Sequence, residues 1–278
     1  MKIIVFTDLD ATLLDAETYS WQAAREAIDE LKRREASIIL VSSKTLAEME
    51  PLHRELELDD PFIIENGGGV VVTQDTLVVD FLRSTGTAHY PIQRGPLLLF
   101  SMGAPYSELT AALAEISAEL NCSLRCFSSM TDREIASATG LSLKEAGKAK
   151  ERNFDEPFLV SQGLEGIGRA VQEAASRRGL TVVLGGRFRH LIGHEGKGKP
   201  VQLLIEAFRN IYGPLITIGL GDSPNDFPFL ELVDRPILVG TDETLALPTS
   251  LAKARRYKLS GPEGWNTAIL ELLSSLEI

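Results

Sequence analysis

Two aspartates, Asp8 and Asp10, stand two residues apart directly after an apolar run. On an extended chain this spacing puts both carboxylates on the same face. Carboxylates held so close repel each other unless a cation lies between them, and Mg²⁺ prefers oxygen ligands of this kind. A carboxylate can also attack phosphorus and form an aspartyl-phosphate. The pair therefore indicates phosphoryl transfer with a bound Mg²⁺, with two solvated turn aspartates as the alternative.

The elements around these aspartates predict an α/β sheet. An apolar run that ends on an acid is typical of a buried parallel strand, which delivers the acid to the carboxyl edge of the sheet, where ligands bind. Residues 21–35 have apolar positions at helical spacing, and residues 36–41 form a second apolar run. A strand, helix, strand order requires a right-handed parallel crossover, so the second strand should end at the same edge as Asp8.

Ser42, Ser43 and Lys44 follow the second strand. We expect the hydroxyls, the amides at the start of the next helix and the lysine to favour an anion there, with a helix cap as the alternative for Ser42. A third apolar run, residues 61–64, leads to Asn66 and three glycines. The glycines allow either a close approach to a ligand or a hairpin turn. These positions are candidates for binding the substrate.

The middle of the chain predicts a second domain. Gly, Pro and Thr residues mark a junction near residue 85, and a block of strands and helices then runs to residue 194. This block is far longer than an ordinary connection between strands. We therefore predict a doubly wound parallel-sheet (Rossmann-like) α/β core over 1–84 and 195–278, with an inserted α+β cap domain over 85–194.

The core pattern resumes with a strand at 215–219, followed by a polar cluster of Asp222, Ser223, Asn225 and Asp226. A phosphate site in so acidic a chain needs a compensating cation, and Lys197 lies just before a helix of the resumed core. The glycine-rich string that ends at Lys199 nearly matches a nucleotide-binding P-loop. However, Pro200 has neither the hydroxyl nor the backbone donor of a P-loop, so we expect no nucleotide there.

Composition excludes several classes of function. The 278 residues can bury a full core in one large or two modest domains. A net charge of −11 repels nucleic acid and anionic membranes. The chain has no long apolar segment and no leader-like start, so we expect a cytoplasmic protein. Cys122 and Cys126 are expected to be packing thiols, and the four histidines lack the spacing of a zinc site.

In order along the chain, these motifs resemble those of the haloacid dehalogenase-like phosphohydrolases. The resemblance rests on four motifs: residues 8–12, Ser42, Lys197 with Gly198, and residues 221–226. The family commonly has glycine where this chain has Ala11, although the two acids of the first motif remain. The insertion falls between the second and third motifs, where members with large α+β caps carry theirs. In the fourth motif, the residues implied to support the loop are Ser223, Asn225 and Asp226.

This resemblance implies a role for each core residue. Asp8 is implied to be the nucleophile and a metal ligand. Asp10 is implied to protonate the leaving alcohol and then to activate water, while its backbone carbonyl binds Mg²⁺. Asp222 completes the protein ligands. Ser42 and Lys197 are implied to surround the phosphoryl group, whose negative charge spreads during transfer.

Four finer strings narrow the resemblance: residues 41–45, 61–67, 151–156 and 185–188. They resemble a branch of the family that removes phosphate from a small phosphorylated sugar-glycerate. In the cap, Arg152 and Arg187 suit a glycerate carboxylate and Glu156 suits sugar hydroxyls, with surface ion pairs as the alternative. The further substrate-binding candidates lie in the core: Ser43, Lys44 and Asn66.

Two other functions compete with a phosphatase. A sugar phosphomutase of the same fold also reacts through a phospho-aspartate. A signalling receiver module has its phospho-acceptor on a later strand than its metal-binding acids, whereas here Asp8 and Asp10 close the first strand. The identity of the sugar and the oligomeric state are left open by the sequence.

Overall fold

The structure is a computed structural model that describes residues 1–74, 76–86, 91–160, 166–185, 187–241 and 245–276. Gly186 of the 185–188 string lies outside the described residues, as does Ser161, the last residue of a strand predicted from Phe158 onward. No helix in these stretches is both long and apolar enough to cross a bilayer. The cytoplasmic location stays a prediction.

The strands are β1 (Lys2–Thr7), β2 (Ser37–Leu40), β3 (Phe62–Ile64), β4 (Gly69–Thr73), β5 (Ile92–Arg94), β6 (Leu97–Ser101), β7 (Leu124–Cys126), β8 (Asp155–Val160), β9 (Thr181–Leu184), β10 (Arg189–Ile192), β11 (Leu215–Gly221), β12 (Arg235–Leu238) and β13 (Arg255–Arg256). The α-helices are α1 (Arg25–Arg33), α2 (Leu46–Glu55), α3 (Leu77–Thr85), α4 (Tyr106–Glu119), α5 (Asp132–Thr139), α6 (Leu143–Ala149), α7 (Ile167–Ser176), α8 (Gly198–Tyr212), α9 (Phe227–Leu230) and α10 (Gly261–Ser275).

The core is a parallel sheet with the strand order β13-β12-β11-β1-β2. β1 lies between β2 and β11, and Val5 is paired with Ile38 on one side and Ile218 on the other. Alternate residues of a strand point to opposite faces, so Val5 packs in the cluster that contains α1 and α10, and Phe6 in the cluster that contains α8. Helices therefore cover both faces, which confirms the doubly wound core. The carboxyl ends of β1, β2 and β11 meet at one edge.

A separate antiparallel sheet has the order β7-β8-β10-β9. Helices α4 and α7 pack on it through an apolar cluster that includes Phe158. Helices α5 and α6 form a smaller cluster with Phe127. The sequence predicts helical segments from Thr131 and from Ser142, and these two residues are the N-caps of α5 and α6, since each hydroxyl accepts a hydrogen bond from the N–H three residues later. This part of the chain has the α+β character predicted for the cap.

A third sheet is antiparallel and has the order β3-β4-β6-β5. It joins the core at a parallel bridge between Val41 and Ile63. Strands β5 and β6 lie within the range 85–194, yet β6 pairs with β4 and β5 pairs with β6. An apolar run such as β6 carries no local signal of the sheet that it joins. The domain boundaries after residues 84 and 194 stay a prediction.

The turn after β3 positions the loop that precedes α8. Glu65, Asn66 and Gly67 have φ angles of 49°, 55° and 100°. A Cβ atom at Gly67 would lie 2.4 Å from the carbonyl oxygen of Gly196. Glycine at this position therefore lets the β3–β4 hairpin turn lie directly against the residue before Lys197.

Candidate active site

Asp8 is held at the carboxyl edge of the core sheet. Its backbone N–H donates to the carbonyl oxygen of Leu220 in β11 at 2.9 Å, and the residue is 6 % exposed. The chain then turns through Ala11, whose φ of 60° lies in the left-handed region. Glycine adopts this conformation without a Cβ clash, which accounts for its frequent use at this position in the family that the sequence resembles.

Lys197 lies between two carboxylates. Its Nζ is 2.6 Å from Oδ1 of Asp8 and 2.7 Å from Oδ1 of Asp226. Burial by itself would lower the pKa of Lys197, but the charges of Asp226 and Asp8 outweigh burial and raise that pKa. The lysine is therefore cationic and fixes the Asp8 carboxylate in place.

Three carboxylates form a cluster that fits a metal ion. Oxygen atoms of Asp8, Asp222 and Asp226 lie within 4.8 Å of one another. Burial raises the pKa of Asp8 well above its usual value; Lys197 opposes this rise, and the neighbouring acids add to it. Burial and the charge of Asp226 raise the pKa of Asp222 to about 6. One ammonium group does not balance three acids, so the donor set suits a hard divalent cation.

The side chain of Asp10 pairs with a lysine instead of joining the acid cluster. Its Oδ1 lies 2.8 Å from Nζ of Lys44, and 43 % of its side chain is exposed. Nζ of Lys44 also lies 4.9 Å from the centre of the Tyr19 ring. The carboxylate that joins Asp8 and Asp222 in the acid cluster is that of Asp226. Ligation by the backbone carbonyl of Asp10 and proton transfer by its side chain both stay predictions.

Ser42, Ser43 and Lys44 follow β2 at the same edge of the sheet. Ser42 is buried, and its Oγ accepts a hydrogen bond from the N–H of Lys44 at 3.2 Å. Thr45 caps α2, because its hydroxyl accepts from the N–H of Glu48 at 3.2 Å. The helix-cap alternative for Ser42 is therefore wrong.

The fourth motif forms a hydrogen-bonded loop after β11. Oδ2 of Asp226 accepts from the N–H groups of Asp222 and Ser223 at 3.1 and 3.2 Å. The hydroxyl of Ser223 donates to Oδ1 of Asn225 at 2.5 Å. Thr12 in the first motif donates to Oδ1 of Asp222 at 3.3 Å. One oxygen of Asp226 thus fixes the loop while the other binds the buried lysine.

A cavity of about 360 Å³ opens above the acid cluster. Its core side includes Asp8, Asp10, Ser43, Lys44, Asp222, Ser223 and Asn225. Its cap side combines rings and basic groups, among them Phe127, Arg152, Arg187, Phe188 and His190. The acidic core side, or floor, can hold a metal, and it lies opposite the basic and aromatic cap side, or roof. This arrangement suits a ligand with a phosphate at one end and a carboxylate or hydroxyls at the other.

Arg152 and Arg187 both line this cavity, but different contacts hold their side chains. The side chain of Arg152 is 5 % exposed, donates to the carbonyl oxygen of Ser43 at 3.2 Å and lies 5.5 Å from the centre of the Phe127 ring. Arg187 is exposed and donates to the carbonyl oxygen of Thr139 at 2.7 Å. Arg152 is thus held beside the core by polar and ring contacts, which include Oδ1 of Asp155 at 3.5 Å, whereas Arg187 lies at the rim.

Two predicted substrate contacts, Glu156 and Asn66, do not line the cavity. Glu156 is fully buried, and its Oε1 accepts from the N–H of Ser128 at 3.0 Å. Asn66 is 1 % exposed, and its Nδ2 donates to Oδ2 of Asp155 at 2.7 Å. Both side chains use polar atoms within the protein, so the structure gives them a supporting position rather than a place beside a ligand.

Sequence reasoning missed three polar residues where core and cap meet. Nδ1 of His190 lies 2.9 Å from Oδ1 of Asp155. The carboxylate of Glu65 accepts from the N–H of Phe154 at 2.7 Å. Glu65 and Asp155 lie in two of the strings that carried the finer resemblance. His190 sits in an ordinary strand, where spacing offers no signal of its partner.

The fold and the acid cluster define a hydrolase of the haloacid dehalogenase-like family, and the chain belongs to that family. Residues 5–86 match the sequence pattern of the family described as haloacid dehalogenase-like hydrolase. A solved structure of a haloacid dehalogenase-like hydrolase from Bacteroides thetaiotaomicron is similar with a TM-score of 0.64, at 16 % identity, over 98 % of this chain and 100 % of that one. At this identity the structural likeness supports the fold alone.

Two relatives are similar over almost their whole length. One, from Methanococcoides burtonii, is named glucosyl-3-phosphoglycerate/mannosyl-3-phosphoglycerate phosphatase; it is 35 % identical over 274 residues, which is 98 % of both chains. A protein of the same name from Persephonella marina is 33 % identical over 280 residues, covering 99 % of this chain and 98 % of the relative.

Proposed function

We propose that this protein is a Mg²⁺-dependent phosphatase that converts mannosyl-3-phosphoglycerate to mannosylglycerate and inorganic phosphate. Glucosyl-3-phosphoglycerate is the alternative substrate. The observation that carries the proposal is the cluster of Asp8, Lys197, Asp222 and Asp226 below a cavity with a basic roof. Two relatives named for both substrates, similar over at least 98 % of each chain, support it.

Asp8 acts as the nucleophile. A carboxylate oxygen attacks phosphorus, the bond from phosphorus to the ester oxygen breaks, and an aspartyl-phosphate forms. Asp10 enters this step in its protonated form and gives the proton to the departing alkoxide oxygen. Asp10 then takes a proton from water as the water oxygen attacks phosphorus. Cleavage of the bond between Asp8 and phosphorus releases phosphate and restores both acids.

The surrounding charges stabilise the transferring phosphoryl group. Lys197 is fixed beside the nucleophile at 2.6 Å, so its charge is already in place when the phosphate arrives. Ser42 orders the backbone that follows β2, where Ser43 and Lys44 reach the cavity. The groups that would hold Mg²⁺ are the Asp8 and Asp222 carboxylates and the Asp10 carbonyl, with Asp226 close enough to contribute. When bound, Mg²⁺ supplies positive charge that offsets the acids and the phosphate oxygens.

The inserted region, residues 85–194, selects the organic part of the substrate. A phosphoryl-transfer site by itself accepts many esters, so selection requires groups that contact the substrate beyond phosphorus. Arg152 and Arg187 are the cavity-lining guanidinium groups of this region among the described residues, and a guanidinium pairs with a carboxylate through two hydrogen bonds. They are assigned to the glycerate carboxylate.

The test is phosphate release by the purified protein with Mg²⁺. The substrates compared are mannosyl-3-phosphoglycerate, glucosyl-3-phosphoglycerate, 3-phosphoglycerate, simple sugar phosphates and an aryl phosphate. The expected result is a kcat/KM for a glycosyl-3-phosphoglycerate at least about tenfold above that for every other ester. A simple sugar phosphate that is hydrolysed best would overturn the substrate assignment. Phosphate transfer between sugar positions without release would instead identify a phosphomutase.

A further inference from the structure

His190 lies in β10, between β8 and β9, and lines the cavity on its cap side. Nδ1 of its ring is 2.9 and 3.0 Å from the two carboxylate oxygens of Asp155. Asp155 is fully buried and also accepts a hydrogen bond from Asn66. Burial by itself would raise the pKa of Asp155, but the charges of His190 and Arg152 outweigh burial and lower it. Asp155 is therefore an ionised acceptor, and Nδ1 is the ring nitrogen that carries a proton.

A glycine lies beside Nε2, the second ring nitrogen of His190. Gly185 also lines the cavity, and a Cβ atom there would lie 2.8 Å from Nε2 of His190 and 3.1 Å from its Cδ2. The φ of Gly185 is outside the left-handed region. Backbone conformation therefore does not require glycine at this position, whereas the space beside Nε2 does.

We infer that His190 is a specificity residue whose Nε2 binds a sugar hydroxyl of the substrate. This inference rests on the proposed function and extends it to a residue outside the phosphate site. Asp155 is a positioning residue that acts through His190, because it fixes the orientation of the ring and leaves Nε2 for the ligand.

The chemistry of the roof favours a hydroxyl as the partner. Arg152 and Arg187 can only donate hydrogen bonds, so they match a carboxylate. Nε2 of His190 accepts a hydrogen bond when the ring is neutral and donates one when the ring is protonated. A hydroxyl can form the matching bond in either case, whereas a carboxylate can pair only with the protonated ring. The roof thus offers separate positions for the two kinds of group that a sugar-glycerate carries.

Two isosteric variants separate the roles of the two ring nitrogens. The amide of asparagine in His190→Asn reaches the position of Nδ1 and keeps a donor for Asp155, but it leaves no atom at Nε2. The amide of glutamine in His190→Gln reaches the position of Nε2 and loses the bond to Asp155. The measurements are kcat and KM for a glycosyl-3-phosphoglycerate and for an aryl phosphate, together with the thermal midpoint.

His190→Asn should lower kcat/KM for the glycosyl substrate about tenfold more than for the aryl phosphate, mainly through KM, with a nearly unchanged thermal midpoint. His190→Gln should keep more of the preference for the glycosyl substrate but melt at a lower temperature, since the buried Asp155 carboxylate loses a donor. Equal losses on the two esters, or no loss on either, would overturn the inference.

A glycine pair gives an independent check. Gly185→Ala should reproduce the selective loss of His190→Asn, because the new methyl group meets the ring at Nε2. Gly147→Ala is the matched control, since a Cβ atom there lies at an ordinary 3.6 Å from Oδ2 of Asp132. A Gly185→Ala protein with wild-type selectivity would contradict the inference. Failure of the proposed function would be evident in the wild-type protein as a lack of preference for glycosyl esters, whereas failure of this inference would be evident only in the variants.

Discussion

Nζ of Lys197 lies 2.6 Å from Oδ1 of Asp8, although 189 positions separate the two residues in the chain. Asp8 comes at the end of β1, whereas Lys197 comes just before α8, after the whole inserted region. The β3–β4 turn fixes the loop just before Lys197 through the contact between Gly67 and Gly196. Lys197 is 1 % exposed. A buried charge without a partner strongly destabilises a fold, so the charge of each residue in this pair requires the opposite charge of the other.

Lys197→Met should reduce phosphate release at least about a hundredfold, because the charge beside the nucleophile is lost. Without Mg²⁺ it should also lower the free energy of unfolding by about 3 kcal/mol, since Asp8 and Asp226 lose their buried partner. Urea unfolding and a phosphate assay measure both effects. The control is Lys199→Met, which removes an exposed lysine two positions away. Wild-type stability in Lys197→Met would show that the pair contributes little to the fold.

Asp8→Asn should abolish turnover and leave the fold intact, because an amide has the shape of the carboxylate but does not attack phosphorus. Activity should fall below about a hundredth of wild type, with an unchanged circular dichroism spectrum. Asp29→Asn changes an exposed aspartate of α1 and should keep full activity. A protein that retained more than this residual rate would have another nucleophile.

The fold class was predictable because its signals are local. β1 and β2 are apolar runs that end on polar residues, and the helix between them has helical periodicity, so the parallel crossover follows from chain order. The starts of α5 and α6 are local features too, since Thr131 and Ser142 each cap their helix together with a glutamate three residues later. By contrast, α3 was missed because its apolar residues lie close together and also suit a strand, and β13 was missed because two residues form no pattern.

The candidate site was only partly predictable because burial and partners are tertiary properties. The acids at the ends of β1 and β11 converge as parallel strands require. No spacing rule indicates that Asp226 joins the acid cluster while the side chain of Asp10 pairs with Lys44. The same holds for Glu156, a charged residue in a strand of the cap, which the structure buries completely.

Metal removal should make stability depend on pH in a defined direction. The pKa of Asp222 is raised to about 6 from an ordinary 3.8. A folded-state pKa above the unfolded one means that stability is fully present below about pH 4 and is lost as pH rises through about 6. The protein in EDTA should therefore melt at progressively lower temperature between these values, whereas Mg²⁺ should flatten the dependence. Asp8, whose pKa is raised for the same reason, adds to the effect.

The matched variant for this measurement is Asp222→Ala. It should lose activity and its stabilisation by Mg²⁺ together, and its melting in EDTA should vary less with pH than that of the wild type. Titration calorimetry with Mg²⁺ alone gives a readout that does not need turnover. The same half-saturation by Mg²⁺ in the variant and the wild type would exclude Asp222 as a ligand.

Arg187→Ala should reduce kcat/KM for a glycosyl-3-phosphoglycerate far more than for an aryl phosphate. Arg187 lines the cavity from its cap side and donates to the carbonyl of Thr139. In the proposed function its guanidinium pairs with the glycerate carboxylate. Loss of one charged hydrogen bond corresponds to about 1.5 to 3 kcal/mol in transition-state stabilisation. Because the aryl ester has no carboxylate to pair with, it should lose much less.

Arg189→Ala is the control for this prediction. Arg189 precedes His190 in β10, and its guanidinium lies against α7, where a Cβ atom at Gly168 would be 2.6 Å from it. It therefore points away from the cavity, as alternation along a strand requires. Its removal should change kcat/KM for the two esters by the same small factor. If Arg187→Ala also affected both esters equally, Arg187 would serve the phosphate site or the fold, and selection of the glycerate end would have to come from Arg152.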